Sequence, residues 1–215
     1  MIEAILFDFD GLMVDSEPHA IASWRAVLRE RGVELDATTL DQLLGLRLDE
    51  TASLLIERFS MTTSPAELGK AKTDYQITHL AGAIRAMPGL ESLLHAIDQR
   101  GLRKAIASSG MRRYLEAALR TVGLAGRFSV IVSGEEVARG KPAPDVFLEA
   151  ARRLGCSPAA CLVLEDAPNG LQAAKAAGMR AVAIPNQQSR QLDLSAADWQ
   201  LPSLAAVADL LASMS

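Results

Sequence analysis

The chain has 215 residues, 49% of them hydrophobic and 22% charged, and its 22 Lys and Arg against 26 Asp and Glu leave a formal net charge of -4. That balance describes a folded globular protein with a substantial core and excludes a disordered or fibrous chain. No run of Lys or Arg forms a stripe able to neutralise successive phosphates, which argues against nucleic acid as a partner.

The first element is an apolar run at residues 2–9, hydrophobic on both faces as a central parallel strand should be, and it delivers Asp8, Asp10 and Gly11. It carries neither the basic region nor the cleavage site of a secretion signal, and no apolar run reaches membrane-spanning length. The reading is a cytoplasmic protein without a membrane partner, and nothing in the chain asks for an obligate interface, so it is taken as a monomer.

Residues 16–84 read as helical throughout. Ser16 is the expected N-cap, with Pro18 in the first turn, and Ile21, Trp24, Val27 and Leu28 form one stripe. Leu40, Leu43 and Leu44, then Leu54, Leu55 and Phe59, continue the helical period, and Pro65 opens a further helix. The chain returns through Met87-Pro88-Gly89, so two linkers, 12–15 and 83–89, join this insertion to the rest and form a hinge.

From residue 90 onward, strand patterns near 104–107, 129–132, 162–164 and 180–184 alternate with helical patterns near 91–100, 112–122, 144–154, 170–177 and 203–212. That alternation predicts an α/β fold, a Rossmann-like parallel sheet sandwiched by helices. The expected division is an α/β core of 1–15 and 85–215 with a helical cap of 16–84. Cys156 and Cys161 lack a Cys or His cluster around them and read as two buried thiols.

In an open parallel sheet, ligands bind beyond the carboxyl ends of the strands. Here those ends carry Asp8-Phe9-Asp10-Gly11, Ser108-Ser109-Gly110, Gly140-Lys141-Pro142 and Glu165-Asp166. Clustered carboxylates cost several kcal/mol each, roughly, unless a cation compensates, and oxygen ligands without His or Cys favour Mg²⁺ over zinc. Lys141 then suits a phosphoryl oxygen or a nucleophilic carboxylate, and the Ser108 hydroxyl with the following amides suits another oxygen of the same group. The chemistry is phosphoryl transfer.

In their order, "DFDGLMVDSE", "IASSG", "GKPAPD" and "LEDAPNG" resemble the four motifs of the haloacid dehalogenase superfamily. The helical insertion after the first motif resembles the small α-helical cap of its β-phosphoglucomutase and sugar-phosphate phosphatase group. The resemblance covers essentially the whole chain. It implies Asp8 as the nucleophile of an aspartyl-phosphate and Asp10 as general acid and base. It further implies Ser108 and Lys141 on the phosphoryl group, with Gly11, Ser109 and Gly110 beside it. Mg²⁺ would be held by Asp166 and Asp8, the Asp10 backbone carbonyl and Glu165.

The expected activity is hydrolysis of a small phosphorylated metabolite, a sugar phosphate foremost. A sugar-phosphate mutase shares every core residue, and a phospho-accepting, receiver-like module is the non-enzymatic rival. A receiver has no use for a second acid two residues after its nucleophile. In the mutases, the resemblance places a lysine and an arginine where this chain has Leu44 and Leu48. That leaves Arg47 as the cation within reach of substrate and favours the phosphatase. Arg47 could also simply pair with Asp49 or Glu50, and His19 is the histidine expected to face the site.

Overall fold

The computed structural model describes residues 1–43 and 46–213. Six parallel strands form one sheet: β1 (Ala4–Phe7), β2 (Arg103–Ala107), β3 (Val130–Val132), β4 (Cys161–Glu165), β5 (Arg180–Ala183) and β6 (Trp199–Gln200), in the order β3-β2-β1-β4-β5-β6. β1 lies between β2 and β4, with Phe7 level with both Ile106 and Leu164. The chain steps from β1 to one side and later returns to the other, so the end of β1 is the switch point of the sheet. The sixth strand, two residues long, is absent from the sequence reading because so short a run has no period.

Alternation along β1 divides the core. Ile5 and Phe7 pack in one layer with α5 (Leu90–Gln99), α6 (Arg112–Thr121) and α9 (Leu204–Ser213). Ala4 and Leu6 pack on the other face with α7 (Asp145–Leu154) and α8 (Pro168–Ala176). The strand expected over 2–9 stops at Phe7. Beyond it the Met13 and Val14 amides turn back onto the Phe9 carbonyl, and Gly11 takes a φ of 77° that any side chain would strain.

Between β1 and β2 stand α1 (Glu17–Arg29), α2 (Ala37–Leu43), α3 (Leu48–Arg58) and α4 (Pro65–Tyr75), which runs on into a π-helical turn, Gln76–Leu80. Their apolar faces close on a separate small core of Trp24, Val27, Leu28, Leu55 and Leu68. Ser16 is the N-cap residue of α1 as expected, with its carbonyl accepting the Ala20 amide at 2.8 Å, but its buried side chain makes no capping bond. Ser64 does cap α4, in a reciprocal box with Glu67 that seats Pro65 in the first turn. Leu44, assigned to this helical pattern, lies outside the described residues.

The two linkers run side by side. Val14 pairs antiparallel with Ala86, the Asp15 amide donates to the Arg85 carbonyl at 3.0 Å, and the Met87 amide to the Met13 carbonyl at 2.8 Å. Cys156 and Cys161 are buried free thiols, and burial pushes Cys161 up to about 12, which leaves it inert as a nucleophile. Among the described residues no helix is long and apolar enough to cross a membrane.

Candidate active site

The parallel strands bring the expected side chains to one end of the sheet. Asp8 follows β1, with its amide still donating to the Leu164 carbonyl at 3.0 Å. Ser108 follows β2, Glu165 ends β4 and Asp166 follows it. Lys141 arrives from the loop before α7 and is 5% exposed. Its Nζ donates to Asp8 Oδ1 at 2.5 Å and to Glu165 Oε1 at 2.7 Å, with the Phe147 ring 4.8 Å away. The other Glu165 oxygen accepts the amides of Asp166 and Ala167 at 2.9 Å, just ahead of α8. Glu165 thus ties Lys141 to the entry of a helix and sets where the ammonium stands against Asp8.

One lysine does not balance three buried acids. Asp8 is raised to about 7, chiefly by burial, with Lys141 pulling it down and Glu165 pushing it up. Asp166 is held well above the ordinary carboxylate range by burial and then by Glu165 and Asp8. Asp8, Glu165 and Asp166 each offer an oxygen, and these atoms lie within 4.8 Å of one another. A buried all-oxygen set with excess negative charge suits a hard divalent cation. The Asp10 carboxylate lies outside this set, so only its backbone carbonyl is left for the metal role given to Asp10.

Two close approaches hold the cluster. The Asn186 side chain donates to Asp166 Oδ2 at 2.7 Å and to the Gly11 carbonyl at 3.2 Å, and a Cβ on Gly11 would stand 2.6 Å from that same amide nitrogen. Ser108 Oγ accepts the Gly110 amide at 3.0 Å. The Ser108-Ser109 pair does not cap α6, whose N-cap is Met111.

Above the acids lies a cavity of about 290 Å³ between the sheet end and the helical insertion. Asp8, Asp10, Ser108, Ser109, Gly110, Lys141, Glu165 and Asp166 line it from below; Glu17, Trp24, Arg47, Thr51, Lys72 and Gln76 line it from the insertion. Gly11 is not in the lining and acts at one remove, through Asn186 and Asp166. Arg47 both lines the cavity and pairs with Asp49 at 3.3 Å, and its guanidinium crosses Gly140 so closely that a Cβ there would stand 2.7 Å from Cζ. His19 is not in the lining.

Lys72 is a second cation at the cavity beside Arg47, and the sequence reading did not name it. It donates to Gln76 Oε1 at 2.6 Å and faces the same cavity. Burial lowers its pKa, while the charges of Asp10 and Glu17 hold it up. Burial, and then Asp10, raise Glu17 in turn. The sequence reading also missed Tyr114, whose hydroxyl donates to Asp10 Oδ1 at 2.6 Å. Asn186 was findable, since it follows the fifth strand as the other site residues follow theirs. Lys72 and Tyr114 sit on ordinary helix faces, and no local pattern marks them.

The family model of the haloacid dehalogenase-like hydrolases matches residues 5–184. The chain belongs to that family. It is 35% identical to the protein CbbY of Rhodobacter capsulatus, over 96% of each chain. It is 33% identical to the fructose-1-phosphate phosphatase YqaB of Escherichia coli, over 84% of this chain and 95% of that one. CbbY of Rhodobacter sphaeroides, solved with phosphate, superposes with a TM-score of 0.89 at 31% identity and 96% coverage of both chains. A mutant of that CbbY was solved with xylulose-(1,5)bisphosphate and superposes at 0.87. This haloacid dehalogenase-like hydrolase is an enzyme of the phosphatase kind.

Proposed function

We propose that the chain is a Mg²⁺-dependent phosphatase of a sugar or polyol monophosphate, working through a phosphoaspartate on Asp8. The observation that carries the reading is the Lys141 bridge between Asp8 and Glu165 at the floor of a cavity with a polar upper wall. Asp8 Oδ2 is left without the lysine and attacks phosphorus. Asp10 protonates the departing alkoxide and then takes a proton from the attacking water. Lys141 and Ser108 hold phosphoryl oxygens, with the amides of Ser109 and Gly110 beside them. Asp8, Asp166, Glu165 and the Asp10 carbonyl would hold Mg²⁺, which supplies positive charge to the transferring group when bound.

Residues 16–84 act as a cap that closes on a core of 1–15 and 85–215 through the paired linkers. Arg47, Lys72, Gln76 and Thr51 then face a hydroxylated leaving group. A screen of phosphorylated metabolites, with Mg²⁺ present or chelated, tests the reading. Phosphate release that needs Mg²⁺ and is abolished in Asp8→Asn supports it, and metal-independent turnover or an active Asp8→Asn overturns it.

Lys72 favours a second reading, a bisphosphorylated sugar, because it adds a cation where a distal phosphate would lie. The mutase version is decided by β-glucose 1-phosphate with a catalytic amount of the bisphosphate: glucose 6-phosphate forming faster than inorganic phosphate selects it.

A further inference from the structure

We infer that Tyr114 is the positioning residue of the acid–base step: its hydroxyl occupies Asp10 Oδ1 and so leaves Oδ2 as the atom that gives and takes the proton. The inference deepens the proposed function and rests on Asp10 being its acid and base. Tyr114 stands on α6, outside the sequence motifs, yet its hydroxyl reaches Asp10 Oδ1 at 2.6 Å. The ring is buried and meets Phe9 edge-on, centroids 6.1 Å apart at 88°.

The direction of the hydrogen bond decides the assignment. The Tyr114 hydroxyl is the donor and the carboxylate oxygen Asp10 Oδ1 the acceptor, so the phenolic hydrogen is pointed at Asp10. An oxygen that accepts from Tyr114 is the wrong end for a transferable proton. Oδ2, by contrast, faces Gly110, where an added Cβ would stand 3.5 Å from it, and Gly110 lines the cavity.

In the first displacement the Oδ2 proton passes to the leaving oxygen as the P–O bond to it breaks and the bond from Asp8 forms. Asp10 is left as a carboxylate steadied by Tyr114. In the second, Oδ2 takes a proton from water as the water oxygen bonds to phosphorus and the Asp8–phosphorus bond breaks. Protons and charge return to their starting places.

The test compares wild type, Tyr114→Phe, Asp10→Asn and the double variant on 4-nitrophenyl phosphate, phenyl phosphate and glycerol 2-phosphate, in order of worsening leaving group. Tyr114→Phe keeps the ring against Phe9, and thermal melting checks that it folds. Its kcat should fall about tenfold or more on glycerol 2-phosphate, the scale of one hydrogen bond to a charged group, and within about twofold on 4-nitrophenyl phosphate, with KM unchanged on both. The double variant should be no worse than Asp10→Asn. Equal losses across the series, or none, overturn the role of Tyr114. A flat series for Asp10→Asn itself overturns the acid assignment, a separate result that removes the basis for the role of Tyr114 as well.

Discussion

Gly170, in the first turn of α8, lies against the Glu165 carboxylate so tightly that any Cβ at 170 would overlap it. Glu165 is 1% exposed and has no room to retreat, and it holds Lys141 at 2.7 Å. The smallest addition at 170 therefore reaches Lys141, two contacts away.

Gly170→Ala is expected to cut phosphatase activity by tenfold or more, about the cost of a disturbed buried charge pair, and to lower the melting temperature by several degrees. Steady-state kinetics and thermal melting check it. An alanine variant that keeps wild-type activity would mean that Glu165 does not set the position of Lys141.

Mg²⁺ should stabilise the protein more at pH 8 than at pH 5. Asp8 rises in the folded chain from an ordinary 3.8 to about 7, so between those values the native state binds a proton that the unfolded state has released. The raised group therefore favours folding at low pH and costs stability as pH climbs through about 7. A cation that needs the ionised carboxylate relieves that cost above pH 7 and competes with the proton below it. Melting curves with Mg²⁺ and with chelator across this range measure the difference, and a shift that grows toward low pH would contradict the linkage.

Arg113 of α6 pairs with Asp74 of α4 and also reaches the Lys70 carbonyl, a tie between the sheet side and the insertion. Both side chains are 41% exposed, so the pair is worth ~0–1 kcal/mol and Asp74→Asn should barely move the melting temperature. If the insertion closes over substrate, the same variant should raise KM, by up to about fivefold for that energy, and leave kcat nearly unchanged. Unaltered KM together with unaltered small-angle scattering would assign the pair no part in closure.

Lys72→Met should lower kcat/KM on sugar phosphates by roughly tenfold to a hundredfold, as expected for a desolvated cation that meets substrate. The loss on 4-nitrophenyl phosphate, which has no hydroxyls, should be much smaller. Equal losses on both substrates would place Lys72 in support of the insertion and not in recognition.

The α/β alternation, the apolar strand β1 and the four polar segments that follow strands β1 to β4 were legible because each is a local pattern with a physical period or a place after a strand. Parallel strands in one sheet point their carboxyl ends the same way, so Asp8, Ser108, Glu165 and Asp166 gather at one end once the sheet is recognised, whereas Lys141 reaches them from the loop before α7. Other details lay below that resolution. β6 is too short to show a period, and β1 ends at Phe7 because the Met13 and Val14 amides return to Phe9.

The order of elements, the inserted helices and the identity of the core acids and of Lys141 belong to the sequence itself, since strand period, helix stripe and motif spacing are properties of neighbouring residues. Only the tertiary structure decides that Lys72 shares the cavity with Asp10, that Tyr114 takes one oxygen of Asp10, and that Arg47 lies across Gly140. Each of those relationships joins elements far apart in the chain. Lys72 and Arg47 meet their partners through the packing of the insertion over the sheet end, and Tyr114 meets Asp10 through the packing of α6 on the sheet, so the distance between two side chains is set by packing and no longer by their spacing in sequence.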